Sequence, residues 1–184
     1  AGEGIMSSIA TQLHHARTQL QPIAGNNAAL EARLLAAAAW GMRTEDLVRC
    51  SEEPREAAAL NALLARRTSH EPISHILGYK EFWKDRFMVS PAVLTPRADS
   101  ETLMEALLHL RPDTQRPYRI LELGVGSGCV VLSALREYPQ AQAVGIDISS
   151  EALAVAAHNQ QALSQGARLT LQRSHWCGNL TGQF

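Results

Sequence analysis

The chain has 184 residues, a hydrophobic fraction of 46% and a formal net charge of −1. That length fits one domain, or one small domain and part of another. The net charge gives no support to electrostatic binding of nucleic acid. No apolar run approaches the roughly 20 residues that cross a bilayer. The three cysteines are far apart and the seven histidines lack metal-binding spacing. We therefore expect a cytoplasmic protein with no disulfide, no metal, no membrane contact and no direct nucleic-acid partner.

Residues 1–78 predict a small helical bundle, because helix-forming Ala, Leu, Arg and Glu dominate them. Leu34 belongs to an apolar stripe at helical spacing, and Gly41 is expected to end that helix. Pro54 suits the first turn of the next helix, with Ser51 just ahead of it as a cap.

Residues 79–98 predict a linker hairpin, since short extended pieces are interrupted there by Pro91 and Pro96. A helix is expected to follow, with Asp99 as its N-cap and an end near Leu110.

Further along, strands alternate with helices, which favours a parallel sheet with right-handed crossovers. The predicted strands are 118–123, 142–148 and 168–173, and the predicted helices are 127–137 and 150–164. The fold class is therefore α/β: a small N-terminal helical bundle, then a partial doubly wound, Rossmann-like domain over residues 99–184. Its last strand would leave an unpaired edge, so we expect a chain truncated after about three strands.

Three glycines at alternate positions follow the first of these strands, in the segment R-I-L-E-L-G-V-G-S-G from Arg119 to Gly128. Glycine lets backbone approach a bound nucleoside closely, because it has no Cβ. The next strand ends roughly twenty residues on at Asp147, where a carboxylate can accept both hydroxyls of a ribose. A dinucleotide fingerprint would place its third glycine where this chain has Cys129. The pattern indicates a different nucleoside-containing cofactor; the alternative is that the glycines only make a tight turn.

E-L-G-V-G-S-G with an acid at the following strand end resembles the first two motifs of class I methyltransferases. Three further segments make the resemblance more specific. They are E-A-R-L-L-A-A-A-A-W-G, E-P-I-S-H-I-L-G-Y-K-E-F-W and R-F-M-V-S-P-A-V-L-T-P-R-A-D-S-E, which start at Glu31, Glu71 and Arg86. Together they make the whole chain similar to the N-terminal part of the HemK/PrmC family of release factor glutamine methyltransferases.

This resemblance implies methyl transfer from S-adenosylmethionine to the side-chain amide of the glutamine in the Gly-Gly-Gln loop of peptide-chain release factors. An amide nitrogen is a weak nucleophile, because its lone pair is delocalised into the carbonyl, so catalysis depends on positioning and electrostatics. Residues 1–78 would dock the protein substrate, and residues 99–184 would bind the cofactor. The alternatives are a ribosomal-protein glutamine methyltransferase and a non-catalytic nucleotide-binding module.

Carried over by position, the resemblance implies that Asp147 holds the ribose diol, with an ordinary surface carboxylate as the alternative. The loop under the methionine part and the ribose would consist of Gly124, Val125, Gly126, Ser127 and Gly128. Glu122 either faces the ammonium group of the cofactor or is a solvated acid at a strand end. Trp176 either lies near the adenine or packs in the core. The family has an acid before this tryptophan where the present chain has His175, so the acid that would contact the adenine amino group is missing at this position.

Pro96 and Arg97 correspond to the family's P-R-P element, which lies beside the substrate entrance. Ala98 replaces the second proline. Arg97 either contacts substrate or fixes the loop by pairing with a carboxylate such as Glu101.

The family holds the glutamine amide with an Asn-Pro-Pro-Tyr motif after its fourth strand, and the 184 residues contain no such motif. We therefore assign no catalytic residue, and we expect this chain to bind cofactor weakly and to leave glutamine unmethylated. Incubation of the purified chain with labelled S-adenosylmethionine and a release factor tests this. Transfer of label to glutamine would contradict it.

Overall fold

The computed structural model describes residues 6–178, which form two compact units that divide between Leu77 and Gly78. In the described part of the first unit the helices are α1 (Ile9–Ala24), α2 (Ala28–Trp40), α3 (Thr44–Arg49), α4 (Ala58–Thr68) and α5 (Ile73–Leu77), and the strands are β1 (Met6–Ser8) and β2 (Pro54–Glu56). In the second unit the strands are β3 (Tyr79–Phe82), β4 (Asp85–Met88), β5 (Arg119–Leu123), β6 (Gln142–Asp147) and β7 (Leu169–Arg173), and the helices are α6 (Glu101–Leu110), α7 (Cys129–Glu137) and α8 (Ser150–Ala162).

The first unit is the predicted helical bundle, held together by aliphatic side chains from several helices. Ile9, Leu35, Leu47 and Leu60 are almost completely buried in one cluster. Gly41 ends α2 with a φ of 62°, as predicted, because the left-handed conformation after a helix favours glycine.

The prediction that Pro54 lies in the first turn of a helix is wrong. Pro54 begins β2 and lies opposite Ser8 of β1 in a short antiparallel pair, and α4 begins only at Ala58. Proline is tolerated at the start of an edge strand because its missing N–H breaks no ladder bond there.

Asp99 is also not the N-cap that the sequence predicted. Residues 98–100 form a 3₁₀ turn, and α6 begins at Glu101 after Ser100. The Thr102 hydroxyl donates to the Asp99 carbonyl at 2.6 Å, which stabilises this turn.

The hairpin of β3 and β4 is present, with Tyr79 opposite Met88. Phe82 and Phe87 are buried in the core of the second unit together with Met104, and their rings meet edge to face at 6.2 Å. The hairpin is therefore an integral part of the core of the second unit.

Trp83, in the turn of this hairpin, is held by two glutamates. Its backbone N–H donates to Glu101 Oε1 at 2.7 Å, and its indole N–H donates to Glu137 Oε1 at 2.8 Å. Lys84 makes an ion pair with the same Glu137 oxygen at 2.7 Å. Because Glu101 begins α6 and Glu137 ends α7, the turn is tied to both helices.

The strands β5, β6 and β7 form a parallel sheet in that order, which confirms the predicted alternation and the Rossmann-like α/β fold. Gly145 of β6 is needed for packing: a Cβ there would lie 2.8 Å from Val125 Cγ2. The parallel arrangement brings the carboxyl ends of the three strands to one edge. Within residues 6–178 no helix combines the length and the apolar character that crossing a membrane requires.

Two neighbouring arginines of α4, Arg66 and Arg67, differ in burial. Arg67 makes a bidentate, largely buried pair with Glu31 of α2, whereas the Arg66 pair with Glu71 is more exposed. Arg67→Met leaves the Glu31 carboxylate without its partner, so we expect a loss of about 2–4 kcal/mol in the free energy of unfolding. Urea unfolding followed by helical circular dichroism measures this.

The matched control is Arg66→Met, for which we expect little change because exposed ion pairs contribute little. The double variant Glu31→Leu with Arg67→Met should recover most of the lost stability. Equal destabilisation by the two arginine variants would contradict the structural role of the buried pair.

Candidate functional site

The glycine-rich loop between β5 and α7 depends on glycine at three positions. Gly124, Gly126 and Gly128 have φ values of 73°, 52° and 77°, a region that other residues adopt only with strain. The backbone N–H groups of Gly124 and Val125 both donate to the Ile146 carbonyl, at 2.9 and 2.8 Å. The loop is thereby joined directly to the end of the neighbouring strand β6.

Asp147 at the end of β6 holds two loops with one carboxylate. Its Oδ2 accepts the Gly126 N–H at 3.0 Å, and its Oδ1 accepts the Ser149 N–H at 3.0 Å. Each carboxylate oxygen has a second lone pair, so both can accept another donor, such as a ribose hydroxyl. The carboxylate is thus oriented before any ligand binds.

A cavity of about 320 Å³ lies at this edge of the sheet. It is formed by the end of β5, the end of β6 and the segment that follows β7. Its lining residues are Leu123, Gly124, Ile146, Asp147, Ile148, Ser174, His175 and Trp176. The volume and the mainly apolar lining with one carboxylate suit a small organic ligand, since such sites measure roughly 300–1,000 Å³.

Trp176 lies on this cavity and is not a core residue, because 69% of its surface is exposed. Its φ of 52° is strained for a bulky side chain, and its carbonyl accepts the Ser174 hydroxyl at 2.8 Å. Ile148 on the same cavity is also largely exposed. These apolar surfaces could cover a planar ring of a ligand.

Glu122 is half-buried, and its carboxylate is hydrogen-bonded to the start of α7. Its Oε2 accepts the Val131 N–H at 2.9 Å, an N–H of the first helical turn that has no partner within the helix. Burial raises the pKa of Glu122 to about 8, and the hydrogen bond from Val131 acts in the opposite direction. At neutral pH the carboxyl group is therefore mainly protonated.

The other four predicted loop residues, Gly126 among them, do not line the cavity. Val125 and Ser127 are each only 3% exposed. A Cβ on Gly128 would lie 3.1 Å from Leu132 Cδ1 and 3.5 Å from the Ala156 Cβ, so this glycine allows close packing of α7 and α8. Gly124, Asp147 and Trp176 are thus the predicted residues that this cavity brings together.

Pro96 is buried and Arg97 is exposed. The predicted alternative of an Arg97–Glu101 pair is not found, and Glu101 Oε1 accepts the Trp83 N–H. Neither Pro96 nor Arg97 lines the cavity described above.

Sequence reasoning missed Asn159 of α8, a buried residue that contacts the glycine loop. The available signal was its position, since Ala152, Val155, Ala156 and Asn159 share the buried face of α8. A polar residue at helical spacing on an apolar face needs a hydrogen-bonding partner.

The Cys129 thiol near the glycine-rich loop is not a nucleophile at neutral pH. Burial raises the pKa of the Cys129 thiol to about 11, so it is protonated at neutral pH. Within the described range 6–178 no group of three or more His, Cys, Asp or Glu side chains could hold a metal ion.

Comparison with known families gives two matches that follow each other along the chain. Residues 11–78 match the PrmC N-terminal domain, and residues 120–178 match a methyltransferase domain. The chain carries a PrmC N-terminal domain followed by a methyltransferase domain. The resemblance recognised from the sequence motifs is therefore confirmed.

Individual relatives agree with these matches. The release factor glutamine methyltransferase of Caulobacter vibrioides is 39% identical over 170 residues, which are 90% of this chain and 58% of the relative. The release factor glutamine methyltransferase of Agrobacterium fabrum is 35% identical over 97% of this chain and 64% of the relative. The chain thus spans about three fifths of the length of these two relatives.

Among solved structures, a methyltransferase from Geobacter sulfurreducens in complex with S-adenosyl-L-homocysteine is 26% identical, with a TM-score of 0.38. The match covers 46% of this chain and 32% of that chain.

Glu122 makes the stability of this chain depend on pH. Its pKa rises from 4.5 in an unperturbed carboxyl to about 8 in the folded chain, so the folded state binds this proton more tightly than the unfolded state. The contribution of Glu122 to stability is therefore constant below about pH 4.5, falls by on the order of 5 kcal/mol as pH rises to about 8, and is constant above that.

Glu122→Gln should remove this decline, because glutamine keeps an acceptor for the Val131 N–H and carries no proton to lose. Urea unfolding at pH 5, 6, 7 and 8 measures the difference from the parent chain, and the exposed Glu105→Gln is the control. Parallel stability curves for the parent chain and Glu122→Gln would contradict the raised pKa.

Proposed function

We propose that this chain is part of an S-adenosylmethionine-dependent enzyme that methylates the side-chain amide of a glutamine in a peptide-chain release factor. The observation that supports this most is the Asp147 carboxylate, which is oriented by two backbone N–H groups on the edge of a cavity of small-molecule size. The names of the relatives supply the substrate class.

The residues around the cavity fit the parts of this cofactor. Asp147 would accept the two ribose hydroxyls with its remaining lone pairs, and Trp176 would cover one face of the adenine. The methionine part would extend over the Gly124 backbone, where an added Cβ would meet no protein atom within 4 Å. The bound cofactor supplies an electrophilic methyl group on a sulfonium.

In this proposal the loop residues behind the cavity act indirectly. Val125, Ser127 and Gly128 keep the loop in shape through burial and close helix packing. Glu122 fixes the start of α7 and would face the ammonium group of the cofactor, which would favour its ionised form.

The substrate side is assigned to two regions. The match of residues 11–78 to the PrmC N-terminal domain supports a docking role for the first unit. The exposed guanidinium of Arg97, next to buried Pro96, makes no ion pair within the described residues and remains available to a protein substrate. A release factor is a translation protein, so the proposed site of action is the cytoplasm.

The proposal predicts that cofactor affinity depends on the Asp147 carboxylate. Asp147→Ala removes two charge-assisted acceptors for the ribose and releases the Gly126 N–H, so we expect S-adenosylhomocysteine to bind about 30-fold to 100-fold more weakly. Asp147→Asn keeps the shape of the side chain but loses its charge, and should fall between Asp147→Ala and the parent chain. Titration followed by heteronuclear NMR measures such affinities even in the millimolar range.

Asp113→Ala is the control, because Asp113 is exposed in the loop before β5 and accepts the Gln115 N–H. Its affinity should equal that of the parent chain. Binding of NAD in preference to S-adenosylhomocysteine, or equal affinity of the parent chain and Asp147→Ala, would contradict the proposed cofactor site.

A further inference from the structure

Asn159 on α8 is a buried amide whose hydrogen bonds join two distant segments of backbone. It is 2% exposed. Its Oδ1 accepts the Met88 N–H at 2.7 Å, and its Nδ2 donates to the Met88 carbonyl at 3.0 Å and to the Ser127 carbonyl at 2.9 Å. Both N–H groups of the amide are therefore used, one on each segment.

The first of these segments leads to the proposed substrate side. Met88 ends β4, and the chain continues through Val89 and Val93, which pack against Ala152 and Val155 of α8. The same helix that carries Asn159 thus supports the backbone that runs on to Pro96 and Arg97.

The second segment is the glycine loop. The Ser127 carbonyl belongs to the peptide plane that precedes Gly128, whose N–H donates to the Val125 carbonyl at 2.7 Å. Fixing the direction of the Ser127 carbonyl therefore fixes how the loop turns into α7. Gly126 in the same loop donates to Asp147 at the cavity.

We propose that Asn159 is a positioning residue that couples the cofactor loop to the segment leading to the substrate side. The expected effect of Asn159 on cofactor binding rests on the proposed function. The coupling of the two backbone segments is a property of the fold. No other side-chain type supplies the same bonds in this space: alanine supplies none, and an ionised aspartate accepts but cannot donate.

Two variants separate the two sets of bonds, with amide hydrogen exchange as the readout. Asn159→Ala removes all three bonds, so exchange at Met88, Gly126 and Gly128 should become at least about tenfold faster. Asn159→Asp can still accept the Met88 N–H, but it no longer donates to the Ser127 carbonyl or to the Met88 carbonyl. It should therefore accelerate exchange in the loop more than at Met88.

Affinity for S-adenosylhomocysteine is the second readout, measured well below the melting temperature of each variant. We expect both Asn159 variants to bind about tenfold more weakly, which corresponds to one lost hydrogen bond. Leu169→Ala is the matched control: it truncates a buried side chain of β7 and keeps all three hydrogen bonds of Asn159. It should lower the melting temperature similarly and keep the affinity within about twofold.

An Asn159→Ala variant that accelerates exchange at Met88 and leaves the loop unchanged would overturn the coupling. Equal loss of affinity in Leu169→Ala would also overturn it, because general destabilisation would then explain the effect. If the parent chain fails to bind S-adenosylhomocysteine, the proposed function fails, and the exchange measurements still decide whether Asn159 couples the two segments.

Discussion

The site depends on the contact between the Asp147 carboxylate and the backbone of the glycine loop. The loop has positive φ at alternate residues, a conformation that is unfavourable for most sequences and needs fixed partners. Asp147 provides one partner by accepting the Gly126 N–H, and the Ile146 carbonyl provides another by accepting two N–H groups. The ends of β5 and β6 are therefore held at a defined separation, and the cavity lies along this joint. A ligand that binds Asp147 would also strengthen the joint, because it would hold the carboxylate in place.

The hairpin shows how two distant sequence motifs act as one structural unit. The E-F-W segment contributes Trp83, and the P-R-A-D-S-E segment contributes Glu101, which accepts the Trp83 backbone N–H. Glu137 at the end of α7 accepts the indole N–H of the same residue. Asn159 adds a second attachment further along the hairpin, at Met88. The hairpin is thus bonded to α6, α7 and α8, and it gives the segment before α6 a defined course.

Hydrophobic periodicity and glycine placement identified most of the second unit. The three parallel strands and the helices between them lie within one or two residues of their predicted bounds, because buried strands and amphipathic helices have strong local patterns. Local rules failed where a tertiary contact decided the outcome. Pro54 lies in a strand that pairs with β1, although proline by itself favours the first turn of a helix. Arg66 and Arg67 are identical in type and adjacent, and only the packing of α2 against α4 buries the second one with Glu31.

The sequence by itself predicted a nucleoside-containing cofactor and the loop that would hold it, since the glycine spacing and the acid at the end of the next strand restrict which backbone and which ligand are compatible. Tertiary structure decided what each residue does. It placed Gly124, Asp147 and Trp176 on one cavity, whereas it buried Ser127 against Asn159. The physical reason is that hydrogen bonds of buried side chains join residues far apart in the chain, and no local pattern records which distant backbone group will be the partner.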